Sequence, residues 1–238
     1  MGVVVLTGVT LAASGSASAS VVSRPRLVVL GDSVPAASAC DCSGFGSELA
    51  AAGSAAMTNA ARPGLTSSGL LAQLKQPALV AALRRATLVT VTIGANDFDQ
   101  ARANDPSCVD LHCYAATLRQ LTAVMRAVAT RIHTSTPPGS TVVFTGYWNV
   151  FADGAVGAQH GATYVAVSDA LTRQVNGALR QVAFQAHALY ADLYTPFNGD
   201  GSDDDTALLA ADGDHPNAAG HHLIAKVIAS TARVVRPH

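Results

Sequence analysis

From Arg26 onward the chain alternates two kinds of apolar pattern. The first is a short run that is apolar almost throughout and rich in β-branched residues. Leu27 to Leu30 ends at Gly31, Leu88 to Ile93 at Gly94, and Thr141 to Thr145 at Gly146. A weaker run covers Ala188 to Leu193, and Met57 to Ala60 adds a short one. Runs of this kind, bounded by glycine, predict strands buried on both faces. In the second pattern apolar residues recur every three or four positions. Tyr114 to His133 places Leu118, Leu121, Val124, Met125, Val128 and Ile132 on one side and stops before Pro137-Pro138-Gly139. Tyr164 to Ala186 does the same with Val167, Leu171, Val175, Leu179 and Val182. Asn217 to Val234 follows with Leu223, Ile224, Val227 and Ile228. These three segments predict amphipathic helices.

Strands alternating with helices predict an α/β fold whose parallel sheet is covered on both faces. Ligands of such sheets bind beyond the carboxyl ends of the strands, where Gly31, Gly94 and Gly146 fall. No internal repeat is visible, and Asn198 to Asp205 reads as a polar, acidic loop.

Composition narrows the classes. The chain has 238 residues, 49% hydrophobic and 13% charged, which excludes a disordered polymer and suits one domain with a real core. Lys+Arg is 15 against Asp+Glu 16, so no basic stripe supports nucleic-acid binding or a polybasic membrane contact. Glu48 is the only glutamate, which leaves little material for a Glu general acid or a His-Glu zinc helix.

Residues 3–13 are apolar, and a small-residue run from Ser14 to Ser20 contains Ala17-Ser18-Ala19. This resembles a secretion signal with an A-x-A cleavage site, although no Lys or Arg precedes the apolar stretch. The run is shorter than the roughly 20 residues of a membrane span. Residues 1–19 are therefore expected to be a signal and 20–238 a single domain, with an extracellular destination. Four cysteines, Cys40, Cys42, Cys108 and Cys113, suit disulfides in an oxidising compartment. Cys108 and Cys113 are spaced for a local loop, while Cys40 and Cys42 either close on each other or cross-pair. Zinc is the rival reading, and the spacing matches no usual zinc site.

Three short motifs carry chemistry. Gly31-Asp32-Ser33-Val34 follows the first strand, where a serine can expose its hydroxyl and its own N–H can face an oxyanion. The G-x-S-x-G elbow of another hydrolase class is absent. Gly94-Ala95-Asn96-Asp97 follows the Leu88–Ile93 strand, and an Asn amide there can also donate to an oxyanion. Asp212-Gly213-Asp214-His215-Pro216 precedes the last helix. Fifteen Asp and eight His give roughly half a chance D-x-x-H pair, so position supplies the weight. An Asp three residues before a His can reach Nδ1 and leave Nε2 free, the orienting job of a triad.

Taken in order, these motifs resemble the block pattern of the SGNH (GDSL-like) hydrolase family over essentially the whole chain from Arg26. Gly64, in Asn59-Ala60-Ala61-Arg62-Pro63-Gly64-Leu65-Thr66, fits the remaining glycine block. The resemblance implies a flavodoxin-like α/β/α sandwich with about five strands. It implies Ser33 as nucleophile, His215 as base and Asp212 as its orienting acid. Ser33 N–H, Gly64 N–H and the Asn96 side chain would form the oxyanion hole. The activity so implied is that of an esterase on small-molecule or lipid esters, and the chain is expected to need no cofactor and to work as a monomer. A lipase, phospholipase or acyltransferase on the same site is the alternative enzyme, and a non-catalytic carbohydrate- or lipid-binding module is the alternative from another class. Val34 stands where the family nickname has Leu.

Four further features are expected to play smaller parts. Trp148, the only tryptophan, follows the third strand and is a candidate to line the substrate pocket or, as the alternative, to pack beneath its loop. Asp97 is expected to brace its turn. Asp200-Gly201-Ser202-Asp203-Asp204-Asp205 gathers hard oxygen ligands without EF-hand spacing and is expected to be a solvated loop. His221 and His222 diverge on a helix and read as surface positions.

Overall fold

Each apolar run becomes a strand of one parallel sheet. The structure, a computed structural model, describes residues 1–3, 24–108 and 110–233. Apart from its first three residues, the expected secretion signal lies outside the described residues. The strands are β1 (Arg26–Gly31), β2 (Ala56–Asn59), β3 (Leu88–Thr92), β4 (Thr141–Thr145) and β5 (Leu189–Ala191), in the order β2-β1-β3-β4-β5. All pairs are parallel, with Val28 beside Thr58 on one side and Val89 on the other. Val28, Val29, Leu30, Val89 and Val91 are buried, as expected of central strands covered twice. The edge strand β2 is mostly exposed, which accounts for its faint apolar pattern.

Among the described residues nine α-helices surround the sheet. They are α1 (Ser33–Ala36), α2 (Phe45–Ala52), α3 (Ser67–Gln73), α4 (Pro77–Leu83), α5 (Ala115–Ser135), α6 (Gly154–Gln159), α7 (Ala162–Gln185), α8 (Tyr194–Asn198) and α9 (Ala218–Arg233). α2 and α9 pack together, while α3, α5 and α7 pack in succession, giving the α/β/α layering. On α7, Val167, Leu171, Val175, Leu179 and Val182 are all buried, each apolar side chain contributing about 2 kcal/mol. α5 buries Leu121, Met125, Val128 and Ile132, and α9 buries Ile224 and Ile228. Among the described residues no helix is long and apolar enough to cross a membrane.

α7 also buries a polar row that the apolar periodicity did not indicate: Ser168, Thr172 and Asn176, spaced by four. This row grips the loop after β4 and so reaches the site.

The sheet order places that site. β1 leads to the edge strand β2, whereas β3 lies on the other side of β1. The connections therefore part at the carboxyl ends of β1 and β3 and open a crevice there. Gly31 closes β1 tightly against β3, because a Cβ at this position would stand 1.8 Å from the Thr92 carbonyl oxygen.

Candidate active site

Ser33 is the first residue of α1, two positions beyond Gly31. Asp32 caps that helix: its Oδ1 accepts from the Val34 N–H at 3.0 Å. The Asp32 N–H donates to Thr92 O (3.2 Å) and Arg62 N–H to Gly31 O (2.9 Å), so the turn is anchored on both sides. As the first N–H of a helix, that of Ser33 has no partner within the helix.

The loop after β3 contains a 3₁₀ turn, Ala95–Asp97. Asp97 braces it, accepting from Ser67 N–H at 2.9 Å and Ser67 Oγ–H at 2.7 Å, as expected of a bracing residue. Burial pushes the Asp97 carboxyl above its usual range. Asn96 is exposed and donates one amide hydrogen to Leu65 O at 3.2 Å, which leaves its second available. Leu65 ends a turn in which its N–H donates to Arg62 O (3.1 Å). Pro63 and Gly64 are the central pair, and the φ of +72° at Gly64 is one that only glycine adopts freely. Gly64 is exposed, one residue from the Asn96 contact, and does not itself line the cleft.

His215 sits on a tight loop. Ala210 N–H donates to His215 O (2.7 Å), Leu209 pairs with Pro216, and Asn217 caps α9 through Ala219 N–H (2.8 Å) and Gly220 N–H (3.1 Å). Asp212 holds the histidine twice. Its Oδ1 accepts from His215 N–H at 3.1 Å, and its Oδ2 lies 2.8 Å from Nδ1. Partial burial opposes the charge of Asp212. The N–H and imidazole of His215 and the N–H of Asp214 outweigh that and keep its carboxyl below the usual range. Asp214 presents a second carboxylate 3.8 Å from Nδ1, and burial raises its pKa.

Ser33, Asn96, Asp214 and His215 line one cleft of about 160 Å³, with Asp212 reaching it through the imidazole. Its apolar lining includes Phe98 and Phe151, which pack edge-on or tilted against Tyr114 at 6.0 and 6.1 Å.

The loop after β4 contributes residues that the sequence reading missed. Asn176 accepts from Tyr147 N–H (2.9 Å) and donates to Tyr147 O (2.8 Å). Asn149 Oδ1 accepts from Phe151 N–H (3.1 Å), Thr172 Oγ–H (3.1 Å) and the Ser168 hydroxyl. So held, Tyr147 sends its hydroxyl to Asp32, and both are fully buried. Burial pushes the Asp32 carboxyl up to about 7, against the hydrogen bonds from Tyr147 and Val34. Burial and the facing Asp32 also push the Tyr147 phenol well above its ordinary value, so the phenol is the donor.

Trp148 is corrected: it does not line the cleft. It is 1% exposed and turns under the loop to stack on Phe197, with centroids 4.6 Å apart. The stack removes the large apolar indole from water, while its neighbour Tyr147 takes the buried place against Asp32. His221 is corrected too: it is buried and its Nδ1 accepts from Phe45 N–H at 3.4 Å. His222 is exposed and meets Glu48 at 2.8 Å. The acidic loop is solvated except at Asp205, which is buried. Cys40 lies beside Cys42 (Cα–Cα 5.1 Å), and Cys108 beside Cys113 (5.6 Å).

A five-stranded parallel sheet of this order, with serine, asparagine and histidine around a cleft at its carboxyl edge, is the architecture of an SGNH hydrolase. The chain belongs to the GDSL-like Lipase/Acylhydrolase family, whose profile matches residues 29–223, and it is an ester hydrolase. Similar solved structures share the fold at low identity. The lipase Lip_vut3 from a goat rumen metagenome superposes with a TM-score of 0.72 at 17% identity, covering 87% of this chain and 97% of that one. An acetylxylan esterase, Axe2, from Geobacillus stearothermophilus gives 0.62 at 20%, covering 90% and 97%. Phospholipase A1 from Streptomyces albidoflavus NA297 gives 0.59 at 20%, covering 88% and 100%. A search of curated protein sequences finds no match.

Proposed function

We propose that this chain is an exported esterase that cleaves esters of short acyl groups through a Ser33 acyl-enzyme. Ser33 Oγ attacks the ester carbonyl while His215 Nε2 takes its proton, Nδ1 being held by Asp212. The oxyanion is received by Ser33 N–H and the free amide hydrogen of Asn96, the two donors that line the cleft. Collapse breaks the bond to the alcohol, which leaves with the proton from His215. Water then attacks the acyl-enzyme by the same route, its proton passing through His215 back to Ser33 Oγ, and the carboxylic acid departs. Asp212 stays charged throughout, and no cofactor enters the balance.

The size of the cleft carries the substrate reading. The named neighbours include a phospholipase and an acetylxylan esterase, so the shared fold does not choose between lipid and acetyl groups. A cleft of about 160 Å³ walled by packed aromatics is small for a long chain. Export accords with two local disulfides, Cys40–Cys42 and Cys108–Cys113, whose Cα separations of 5.1 and 5.6 Å suit such bonds.

The test is hydrolysis of p-nitrophenyl esters from acetate to palmitate, beside Ser33→Ala. The expected result is kcat/KM highest from acetate to butyrate, lower by at least about tenfold at octanoate, and lost in Ser33→Ala. A maximum at long chains would overturn the substrate reading. Activity surviving in Ser33→Ala would overturn the nucleophile.

A further inference from the structure

On the far side of the loop after β4 lies a second cleft, of about 280 Å³, in which three buried side-chain oxygens lack partners. Asp205 is 2% exposed, and neither of its carboxylate oxygens accepts a hydrogen bond. Asn198 is 7% exposed, and its Oδ1 is likewise buried without a donor. The Asn198 amide nitrogen donates to Asp153 Oδ2 at 3.0 Å, which joins a second carboxylate to the group. Burial, with Asp153 and Asp204 beside it, pushes the Asp205 carboxyl up to about 7.

Buried carboxylates are normally matched by cations or donors. Here the side-chain cations are elsewhere: Arg173 binds Asp169 at 2.9 Å and the Asp200 carbonyl at 2.6 Å. Among the described residues no Lys, Arg or His pairs with Asp153 or Asp205. The cleft is lined by no Lys, Arg, His or Cys.

We propose that Asp205, Asn198 and Asp153 form a calcium site. Two carboxylates and an amide carbonyl are hard oxygen donors, which excludes a preference for zinc or copper. Calcium takes about six to eight oxygens in flexible geometry, so these side chains with water from the open side of the cleft suffice. Magnesium demands a stricter octahedron and sheds water reluctantly. The site adjoins the histidine loop: Asp153 N–H donates to Gly213 O at 2.7 Å, between Asp212 and Asp214. A bound ion would thus brace the segment that holds His215.

Terbium(III) luminescence and melting tests need no esterase activity, so their failure is separate from failure of the functional reading. Trp148, the only tryptophan, stacks on Phe197 next to Asn198, and Asn149 after it lines the cleft. Exciting it should sensitise terbium bound to metal-stripped protein, and calcium should displace the signal. Saturating calcium should raise Tm by roughly 5 °C. Asp205→Asn should weaken apparent terbium affinity at least about tenfold and abolish the calcium shift. If that variant does not fold by circular dichroism, Asp153→Asn is measured instead. Absence of calcium-displaceable emission and of a calcium shift in the wild type would overturn the site. So would an Asp205→Asn protein that behaves as wild type, and an equal response to magnesium would overturn its assignment to calcium.

Discussion

The hydroxyl of Tyr147 donates to the carboxylate of Asp32 beneath the Ser33 turn, and the same oxygen accepts from Ala95 N–H at 3.4 Å. One phenol therefore joins the loops after β1, β3 and β4. The relative placement of Ser33 and Asn96 depends on this buried contact.

Tyr147→Phe keeps the ring and removes the strut. It leaves Asp32 buried with only the Val34 N–H as donor, which should destabilise the fold by about 1–3 kcal/mol. Loosening of the loops should lower kcat by roughly tenfold with KM little changed. Urea denaturation and steady-state kinetics check both. Unchanged kcat with lowered stability would reduce Tyr147 to a packing residue.

Asp32 should also leave a mark on stability versus pH. The unfolded carboxyl loses its proton near 3.8 and the folded one near 7. Between these values the native state holds more protons, so stability falls as pH rises, by at most about 1.4 kcal/mol per pH unit. Asp32→Asn removes this contribution. Urea midpoints measured from about pH 4.5 to 7 should therefore show a flatter profile in the variant. Equal slopes would show that Asp32 ionises normally.

Asp212 and Asp214 both approach the imidazole, at 2.8 and 3.8 Å. Only Asp212 also accepts from the His215 N–H, so orientation is assigned to it. Asp212→Asn should cost at least about 100-fold in kcat, and Asp214→Asn no more than a few-fold. The reverse order would make Asp214 the orienting acid.

Asn96→Ala deletes the side-chain donor proposed for the oxyanion and should lower kcat by roughly 100- to 1,000-fold. Its contact with Leu65 O is lost as well, so the melting temperature is measured in parallel. A full-rate Asn96→Ala enzyme would remove Asn96 from the oxyanion hole.

Phe151 is a large buried side chain of the cleft wall. Phe151→Leu enlarges the cleft at moderate cost to the core. It should move the kcat/KM maximum toward longer acyl groups by several-fold. An unmoved chain-length profile would show that the acyl group binds elsewhere.

The fold was legible where the local pattern was long or doubly buried. β1, β3 and β4 and the helices α5, α7 and α9 show in the sequence because each repeats its period or is apolar throughout. α1, with four residues, and α8, with five, are too short to complete a hydrophobic period, and they form because neighbouring elements hold them. In the site, Ser33, Asn96 and His215 were legible because each sits in a motif beside a strand end or helix start. Tyr147 was not, because nothing local marks a tyrosine whose partner lies 115 residues away.

By itself the sequence determined the alternation of strands and helices, and hence the kind of sheet and the edge where chemistry would gather. It also determined the residue types for a hydrolytic site, since motif chemistry and hydrophobic period are local properties of the chain. The tertiary structure decided what depends on contacts between distant segments. It turned Trp148 into the core and Tyr147 onto Asp32, buried His221 against α2, and left the Asp205 carboxylate and Asn198 Oδ1 without donors. Burial removes water from every polar group alike, and only the fold determines which of those groups receives a replacement.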